Sequence, residues 1–416
     1  MDGISDFDFY GTHFKSHASF SGELRDNIFN SAQFDTYGNF TNAKISGGAF
    51  FIRSAFNKGN FSESVIQGIA RFNEARFNEV VLKNTLFQRN AFFRKASFLG
   101  KADFLNTTFS YNVDFNGAMF KSLGNFSNST IYDNAIFKNV TFEKGVDFDR
   151  AFLGKADFSS SRLNGTGNFG YCFFDESPNF INTLLPDTLV LLGARLSSDA
   201  ILDLSLAAPK GKRSCLIDLR KFPIDKIKLR WEDFNLLLPN KTKKLGKSDT
   251  TYYSFQEARG VFGDLLKRFS DLGYSSSYEK CDKEYRQFLY HNDPKYAKIG
   301  PFLNFVDKYW WGYGYDLERI VLNSIIILIL FTFANYFQFE FLIESVYPIK
   351  KIQDAYLVDS KSKFRLAFIY SAFIFFGVSI KIDLLDFTKF WQSIWILFQF
   401  ITGLICLAFV VNHILS

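Results

Sequence analysis

Large apolar residues recur at intervals of five or six positions between residues 29 and 148. The residue two positions before each of them is usually smaller, as Ala70, Val113 and Ala118 are. Because alternate residues of an extended segment share a face, each interval would turn one large and one smaller side chain to the same side. The large residues are Phe29, Phe34, Phe40, Ile45, Phe50, Phe56, Phe61, Ile66, Phe72, Phe77, Leu82, Phe87, Phe93, Phe98, Phe104, Phe109, Phe115, Phe120, Phe126, Ile131, Phe137, Phe142 and Phe148.

This interval excludes the two common amphipathic patterns. A half-buried strand repeats every second residue and a helix about every 3.6 residues. Neither keeps an interval of five or six over about 120 residues. We therefore predict short extended segments joined by corners, with large and small side chains interdigitating in a narrow core.

From about Phe9 to Phe180 the pattern resembles the pentapeptide-repeat family in its Phe-rich form. The resemblance implies a right-handed quadrilateral β-helix with about 22 residues per coil and roughly eight coils over this stretch. Each coil would contact only its neighbours, and the Phe rings would stack in columns along the axis. We assign residues 1–183 to this β-helix domain.

Residues 184–249 keep short apolar runs but lose the regular interval. Ile227, Leu229 and Trp231 alternate with Lys228 and Arg230, which is the period of a strand. We predict irregular β structure that extends and caps the solenoid, because an open end would expose strand edges and rings. A basic linker follows at 240–249.

Residues 250–303 show helical periodicity and predict a helical hairpin as connector. The apolar residues of its first helix share one face, Gly273 ends that helix, and Ser276 with Glu279 resembles a capping box for the second. The hairpin would serve as a spacer between domains or as a binding module. The residues predicted to face inward are Phe255, Ala258, Phe262, Leu265, Leu266, Phe269 and Leu272, then Cys281, Tyr285, Phe288 and Leu289.

Residues 304–416 contain the long apolar runs. Positions 320–339 and 390–416 have no Asp, Glu, Lys or Arg over 20 and 27 residues, long enough for two membrane-spanning helices. Positions 366–380 are 15 uncharged residues, which is short for a span and typical of a re-entrant helix. A buried pair of soluble helices is the alternative, but a β-helix has no need to bury so long a run.

The order helix, short segment, helix resembles the two-transmembrane domain of potassium-channel-type proteins. On this resemblance the re-entrant helix runs to about Phe375, and Phe376, Gly377, Val378, Ser379 and Ile380 stand where that family has its filter. The second filter glycine is absent, so we expect poor ion selectivity. A segment ahead of the first span is similar to one that relatives have there, and we expect it to couple the domains. Its residues are Trp311, Gly312, Tyr313, Gly314 and Arg319.

Polar and small residues recur at helical spacing on one side of the last apolar run. Such a stripe either faces a water-filled pore or packs against another helix, and the sequence leaves both open. These candidate pore-lining residues are Gln392, Gln399, Gly403, Cys406, Val410 and His413.

Composition narrows the classes of function. The net charge of +6 divides into zero for residues 1–183, +5 for 184–319 and +1 for 320–416, so the β-helix lacks the negative surface that DNA mimicry requires. With four His, four separated Cys and no common catalytic or phosphate-binding motif, we expect no enzyme, no metal and no cofactor. We expect no nucleic-acid partner.

These observations predict an oligomeric ion-channel-like membrane protein whose pore is controlled by the β-helix. Two spans cannot enclose a pore, so the partner is the chain itself, and the resemblance implies a tetramer that contacts lipid and ions. We expect a multi-pass protein of a bacterial-type inner membrane. No signal peptide is expected, and the +5 region before residue 320 places the N-terminal domain in the cytoplasm, although the basic loop 344–365 favours the reverse.

The alternative function is a membrane-anchored scaffold that binds other proteins and does not conduct. A defence or cell-suicide effector would be a variant of the pore, differing in what opens it. The sequence does not identify a partner of the β-helix.

Overall fold

The structure is a computed structural model that describes residues 7–209, 214–238, 253–358, 362–378 and 385–415. It forms two compact units, Met1–Asp282 and Lys283–Ser416. The boundary lies within one helix of the connector that the sequence predicted at 250–303. Each unit is described by itself.

The first unit is a parallel β-solenoid of about ten turns. Its strands are very short and pair with strands 20 to 22 residues away in most turns, as Phe56 pairs with Phe34 and Phe77. In chain order they are β1 (Phe7–Asp8), β2 (His13–Phe14), β3 (Ala18–Ser19), β4 (Gly22–Leu24), β5 (Asn27–Ile28), β6 (Gln33–Phe34), β7 (Gly38–Asn39), β8 (Ala43–Ile45), β9 (Ala49–Phe50), β10 (Ala55–Asn60), β11 (Val65–Ile66), β12 (Ala70–Arg71), β13 (Arg76–Val81), β14 (Leu86–Phe87), β15 (Ala91–Phe92), β16 (Ser97–Phe98), β17 (Ala102–Asp103), β18 (Thr108–Phe109), β19 (Val113–Asp114), β20 (Met119–Phe120), β21 (Gly124–Asn125), β22 (Thr130–Ile136), β23 (Thr141–Phe142), β24 (Val146–Asp147), β25 (Phe152–Asp157), β26 (Arg162–Leu163), β27 (Thr166–Asn168), β28 (Phe173–Phe174), β29 (Thr188–Val190), β30 (Arg195–Leu196), β31 (Leu202–Asp203), β32 (Cys215–Asp218), β33 (Ile227–Lys228) and β34 (Phe234–Leu236).

The core consists of four columns of buried side chains, one from each strand position of a turn. In the first column nine Phe rings from successive turns stack with centroid separations of 4.8 to 5.2 Å. This separation is close to the ~4.8 Å spacing of hydrogen-bonded strands, so backbone pairing and ring stacking satisfy the same repeat. The rings are Phe9, Phe29, Phe51, Phe72, Phe93, Phe115, Phe137, Phe158 and Phe180.

The corners explain the interval of five or six residues. After the first and third columns the chain makes a tight turn in which one residue is left-handed, such as Ser31 at φ 57° and Asn42 at φ 57°. The nitrogen of Ala32 donates to the oxygen of Phe29 across such a turn, at 3.0 Å. Between Phe29 and Leu196 each step through a tight turn is five residues, and the looser corners take five or six.

Asn or Asp commonly stands just before the core residue that opens a tight turn. The Asn60 side-chain oxygen accepts from the nitrogen of Ser62 at 3.0 Å, and Asn125 repeats the contact with Ser127 at 3.1 Å. These local bonds satisfy backbone donors at the corner and favour the turn.

One residue of the predicted core was assigned wrongly. Phe51 is fully buried in the first column, whereas Phe50 faces outward beneath the Arg71 guanidinium. The inward residue two positions earlier is Ala49, not Gly48. A shift of one residue reverses the face of an extended segment, and intervals of five or six allow either Phe.

Residues 184–238 continue the solenoid, as far as they are described, with parallel pairing from β27 through β29 and β32 to β34. Helix α1 (Phe255–Asp271) and the start of α2 (Ser275–Asn292) belong to the same unit. Arg268 donates to the oxygen of Ile227 at 3.0 Å, and Ser277 accepts from the nitrogen of Trp231 at 3.0 Å. These contacts attach the helices to the last turns.

The capping box lies at α1 rather than at α2. Ser254 accepts from the nitrogen of Glu257, whose carboxylate accepts from the nitrogen of Ser254. Ser276 lies inside α2, which begins at Ser275, so the box predicted at Ser276 and Glu279 was wrong. Gly273 follows the end of α1 with φ 67°, as its predicted role required.

The second unit is helical. After α2 it contains α3 (Gly300–Trp310), α4 (Leu317–Phe341), α5 (Lys350–Val358), α6 (Lys363–Phe375) and α7 (Phe390–Leu415). A π-helical turn, Leu342–Val346, extends α4. Helical turns at Ile224–Lys226, Trp231–Asp233, Pro294–Tyr296 and Gly312–Gly314 complete the described elements. Two helical stretches, Leu317–Val346 and Phe390–Val411, are long and apolar enough to cross a membrane.

Adjacent Phe residues provide a test of the solenoid register. We expect Phe51→Ala to lower the free energy of unfolding by about 3–5 kcal/mol, because it removes a ring from a closed stack. The matched change Phe50→Ala should cost about 1 kcal/mol or less. Thermal unfolding of the purified full-length protein, followed by circular dichroism in detergent, measures both. Equal losses would contradict this register.

The attachment of α1 depends on a buried ion pair. The Arg220 guanidinium lies 2.7 Å from the Asp218 carboxylate, and both side chains are buried beside Tyr253. We expect Asp218→Asn to cost about 3–5 kcal/mol, since it leaves a buried cation without its counter-charge. Hydrogen exchange in α1 should accelerate by at least about tenfold.

The pair Arg230–Asp233, in which Arg230 is exposed and Asp233 is partly buried, supplies the control for that measurement. Asp233→Asn should cost less than about 1 kcal/mol and leave exchange in α1 unchanged. If the two variants behaved alike, the buried pair would not hold the cap.

Candidate functional site

The short helix α6 packs between the two long apolar helices and stops halfway along them. It begins near the end of α4, where Lys363 Nζ lies 3.0 Å from the Glu340 carboxylate. It ends near the middle of α4, where Phe375 packs with Leu328 and Phe331. Eleven residues of α4 separate these two levels by roughly 15 Å.

Helix α7 begins at the same end of the bundle as α6. The nitrogen of Asp386, just ahead of α7, donates to the oxygen of Val346 at 3.0 Å. Phe375 meets Cys406 on α7, sixteen residues after its first residue, Phe390. Helices α6 and α7 therefore begin at the same end of the bundle.

The tip of α6 is closed by a glycine. Gly377 has φ 68°, and its nitrogen donates to the oxygen of Ile374 at 3.1 Å. The nitrogen of Val378 donates to the oxygen of Phe373 at 3.0 Å. These two bonds form a Schellman motif, which requires the left-handed residue that glycine supplies most easily. Gly377 therefore ends a helix.

The remaining residues of the candidate filter are only partly described. Phe376 and Val378 are exposed at the tip of α6. Ser379 and Ile380 lie outside the described residues, so the assignment of a filter stays a prediction. The end of the short helix at Phe375 is where the sequence placed it.

A buried polar cluster joins the three helices. Asn335 of α4 donates to Ser371 of α6 at 2.8 Å and to the Gln399 side-chain oxygen of α7 at 2.8 Å. Its own oxygen accepts from Gln399 at 3.0 Å and from the Trp395 indole at 2.8 Å. Asn335, Ser371 and Gln399 are fully buried. Together with Trp395 they form what we call the Asn335 cluster.

Three of the six residues of the polar and small stripe on α7 pack inside the single chain. Gln399 belongs to the Asn335 cluster, and Cys406 is buried against Leu328 and Phe375. A methyl group on Gly403 would stand 1.7 Å from the oxygen of Phe375, so only glycine allows α6 to approach α7 so closely. Of the two alternatives for these three residues, the structure shows helix packing.

The other members of the stripe are less informative. Gln392 and Val410 are half-buried. The side chain of His413 lies outside the described residues. Neither Gln392 nor Val410 belongs to the Asn335 cluster.

The outer faces of the long helices are apolar. From Val321 to Phe337 and from Phe390 to Val411, every exposed residue is apolar. Only 28% and 22% of the most apolar stretches are buried. A core helix of a soluble protein would bury most of such a surface, whereas a helix in lipid would not.

The predicted coupling segment is a left-handed turn fixed at several points. Gly312, Tyr313 and Gly314 have φ of 59°, 63° and 92°. The Tyr313 hydroxyl donates to Asn304 at 2.7 Å and the side chain is buried, which holds a non-glycine residue in this conformation. Arg319 donates to the oxygen of Lys308 at 2.8 Å.

The same segment contacts α2, α3 and α7. The buried Asp307 carboxylate accepts from the Tyr290 hydroxyl at 2.5 Å and from the Trp311 indole at 2.8 Å. The Trp311 ring also lies 4.2 Å from that of Phe409 on α7. Burial and the bond to Asp307 raise the pKa of Tyr290 well above its usual range, so Tyr290 remains a hydrogen-bond donor at neutral pH.

Within the described ranges, no group of three or more His, Cys, Asp or Glu side chains is placed to hold a metal ion. None of the four cysteines, all of which lie in the described ranges, forms a disulfide, and all four are buried. Burial raises the pKa of the Cys215 thiol to about 12, so its thiolate form is not populated at neutral pH.

The sequence analysis missed Asn335, Ser371 and Trp395. A signal was present, because Asn335 lies in a 20-residue run without charged residues and needs a hydrogen-bond partner away from water. The partners could not be identified without the packing of α6 against α4 and α7.

A double-mutant cycle measures the Asn335 cluster. We expect Asn335→Ala and Gln399→Ala to show a coupling of about 0.5–2 kcal/mol, because each amide serves the other as donor and acceptor. Unfolding of the full-length protein by SDS in mixed micelles gives the four free energies. Thr402→Ala is the control partner, since its hydroxyl bonds only its own helix at Phe398, and its coupling to Asn335 should be near zero. A coupling near zero for Gln399 as well would contradict the cluster.

Comparison of the chain with protein-family models, with curated proteins and with solved structures found no match. The parallel solenoid and the two apolar helices are therefore established by the structure alone. The resemblances to pentapeptide-repeat and channel proteins rest on the residues quoted for them.

Proposed function

We propose that the chain is an oligomeric, channel-like membrane protein whose membrane unit is controlled by the β-solenoid. The observation that supports this most directly is the position of α6, which begins at the same end of the bundle as α7 and stops halfway along α4. In a bilayer, with α4 and α7 as spans, α6 would be a re-entrant helix. Non-helical backbone at membrane depth is tolerated only where it lines a water-filled cavity or is buried in protein. In channels such a segment follows a re-entrant helix and lines the ion pathway.

Charge gives two opposing signals for the orientation. Residues 184–319, which precede the first span, carry a net charge of +5, whereas the short loop 344–365 carries five basic residues against three acidic ones and favours the reverse. We place the solenoid in the cytoplasm because a folded β-solenoid is difficult to move across a membrane. A bacterial-type inner membrane and a right-handed quadrilateral form of the solenoid are parts of the proposal that rest on the resemblance.

A pore has to form between copies. In one chain α6 fills the space between α4 and α7, and the Asn335 cluster closes it. Several copies, four by the resemblance, would surround an axis approached by the α6 tips. Phe376 and Val378 are exposed there. Apolar side chains at the α6 tip offer an ion no oxygen ligands to replace its hydration shell, so conductance should be low and selectivity poor.

Control would act through the segment from Trp311 to Arg319. This segment contacts α2, α3 and α7, so a displacement of the connector would reach the last helix directly. An effector that kills or protects a cell would use the same pore with a different trigger.

A second candidate is a membrane-anchored scaffold that does not conduct. It is favoured by the apolar character of every exposed residue in 321–337 and 390–411 and by the burial of Gln399, Gly403 and Cys406. In that case α4 and α7 would only anchor the solenoid, whose surface would bind other proteins.

Conductance of the purified protein in planar bilayers, together with the number of copies per particle, distinguishes the two. We expect several copies and small, poorly selective currents. Phe376→Ser should raise the conductance several-fold, because a hydroxyl at the tip favours wetting of a narrow constriction.

The control is Ile401→Ser, an exposed position on the outer face of α7, which should leave conductance unchanged. One copy per particle, or silent bilayers with both variants, would exclude the channel and leave the scaffold. Strong potassium selectivity would show that the filter lies elsewhere in the chain.

A further inference from the structure

Helix α3 carries an exposed aromatic row that no part of the second unit covers. Phe302, Phe305 and Tyr309 are 67%, 59% and 55% exposed. At a helical spacing of three and four residues they share one face. Ile299, immediately before the helix, is 52% exposed and adds to the row.

The opposite face of α3 is fixed to its own unit. Asp307 binds Tyr290 and Trp311, and Trp310 packs into the cluster of Leu328, Phe331, Phe375 and Cys406. The helix therefore cannot turn its aromatic row inward without breaking these contacts. The row is a fixed outer surface.

The row adjoins the start of the first apolar helix. The Asn323 amide of α4 donates to the oxygens of Tyr309 at 2.9 Å and Trp310 at 2.8 Å. The neighbours of Asn323 on α4, Leu322 and Ile326, are exposed and apolar. The aromatic row of α3 thus lies at the end of α4 where the apolar outer face begins.

The charged residues around this surface indicate which partner it binds. Lys295, Lys298 and Lys308 are exposed on and just before α3, and the only acid within 294–315, Asp307, is buried. Lys308 lies 5.2 Å from the Tyr309 ring. Aromatic rings flanked by lysines suit the headgroup layer of a bilayer, where rings enter the acyl boundary and ammonium groups meet phosphate.

We propose that α3 lies in the headgroup layer of the leaflet from which α4 starts and binds anionic lipid through Lys295, Lys298 and Lys308. This inference rests on the proposed insertion of α4. It adds an interaction surface outside the spans and names anionic phospholipid as its partner. It also makes the coupling segment, which follows α3 directly, sensitive to lipid composition.

Spin labels on the full-length protein in nanodiscs test this placement. The native cysteines are buried, so single labels can be introduced at Phe305→Cys on α3, Leu330→Cys on the outer face of α4 and Gln287→Cys on the exposed side of α2. Collisions with oxygen report lipid, and collisions with a water-soluble nickel chelate report water. We expect the ratio of oxygen to nickel collisions at 305 to exceed that at 287 several-fold and to stay below that at 330, which lies deeper in the bilayer.

Three outcomes are decisive. A label at 330 that reports water would overturn the insertion of α4 and with it the proposed function. A label at 330 in lipid with one at 305 in water would overturn the placement of α3 alone. A label at 305 shielded from both reagents would show that protein, such as a second copy, covers the row.

The preference of α3 for anionic lipid is tested by changing the lipid composition of the nanodiscs. Between nanodiscs of phosphatidylcholine and nanodiscs containing about 30% phosphatidylglycerol, we expect nickel collisions at 305 to fall about twofold, because phosphate attracts the three lysines. The triple change Lys295→Gln, Lys298→Gln and Lys308→Gln should abolish that difference. A difference that persists without the lysines would exclude them as the anionic-lipid site.

Discussion

An asparagine in the middle of an apolar helix has to find hydrogen-bond partners where water is absent, and the second unit is arranged around that requirement. Asn335 uses both its amide donors and its oxygen, so α4 is joined to α6 by Ser371 and to α7 by Gln399 and Trp395. A buried polar group left without partners would cost several kcal/mol in lipid. This constraint fixes α6 between the long helices, which is the feature on which the channel-like interpretation depends.

The solenoid depends on a different constraint, which is that the spacing of the paired strands and the spacing of the stacked rings must be equal. Strand pairing requires about 4.8 Å between turns, and the stacked rings of the first column are spaced at 4.8 to 5.2 Å. Because both repeats coincide, each added turn extends the backbone ladder and the ring stack together. The far end is closed by α1, which is attached through Arg268 and through Tyr253, whose ring packs on the Arg220 guanidinium of the buried Asp218–Arg220 pair.

Regular features were predictable from the sequence, and features that depend on three-dimensional contacts were not. The interval of five or six residues predicted the solenoid, and uncharged runs predicted α4, α6 and α7 close to their observed bounds. The choice between Phe50 and Phe51 could not be made, since both are aromatic and both follow a small residue by two positions. Gly377 was placed in the candidate filter by its position, and its backbone angle and two hydrogen bonds, which end α6, could not be read from the sequence.

The central claim is that α6 enters and leaves the membrane on one side. Single cysteines at Lys351 and Thr388, both exposed, and at Gln287 on α2 can be labelled in sealed vesicles with a maleimide that does not cross the membrane. The account predicts that positions 351 and 388 react from the same side and position 287 from the opposite side. Reaction of position 388 from the side of position 287 would mean that α6 crosses the membrane, which would contradict a re-entrant helix.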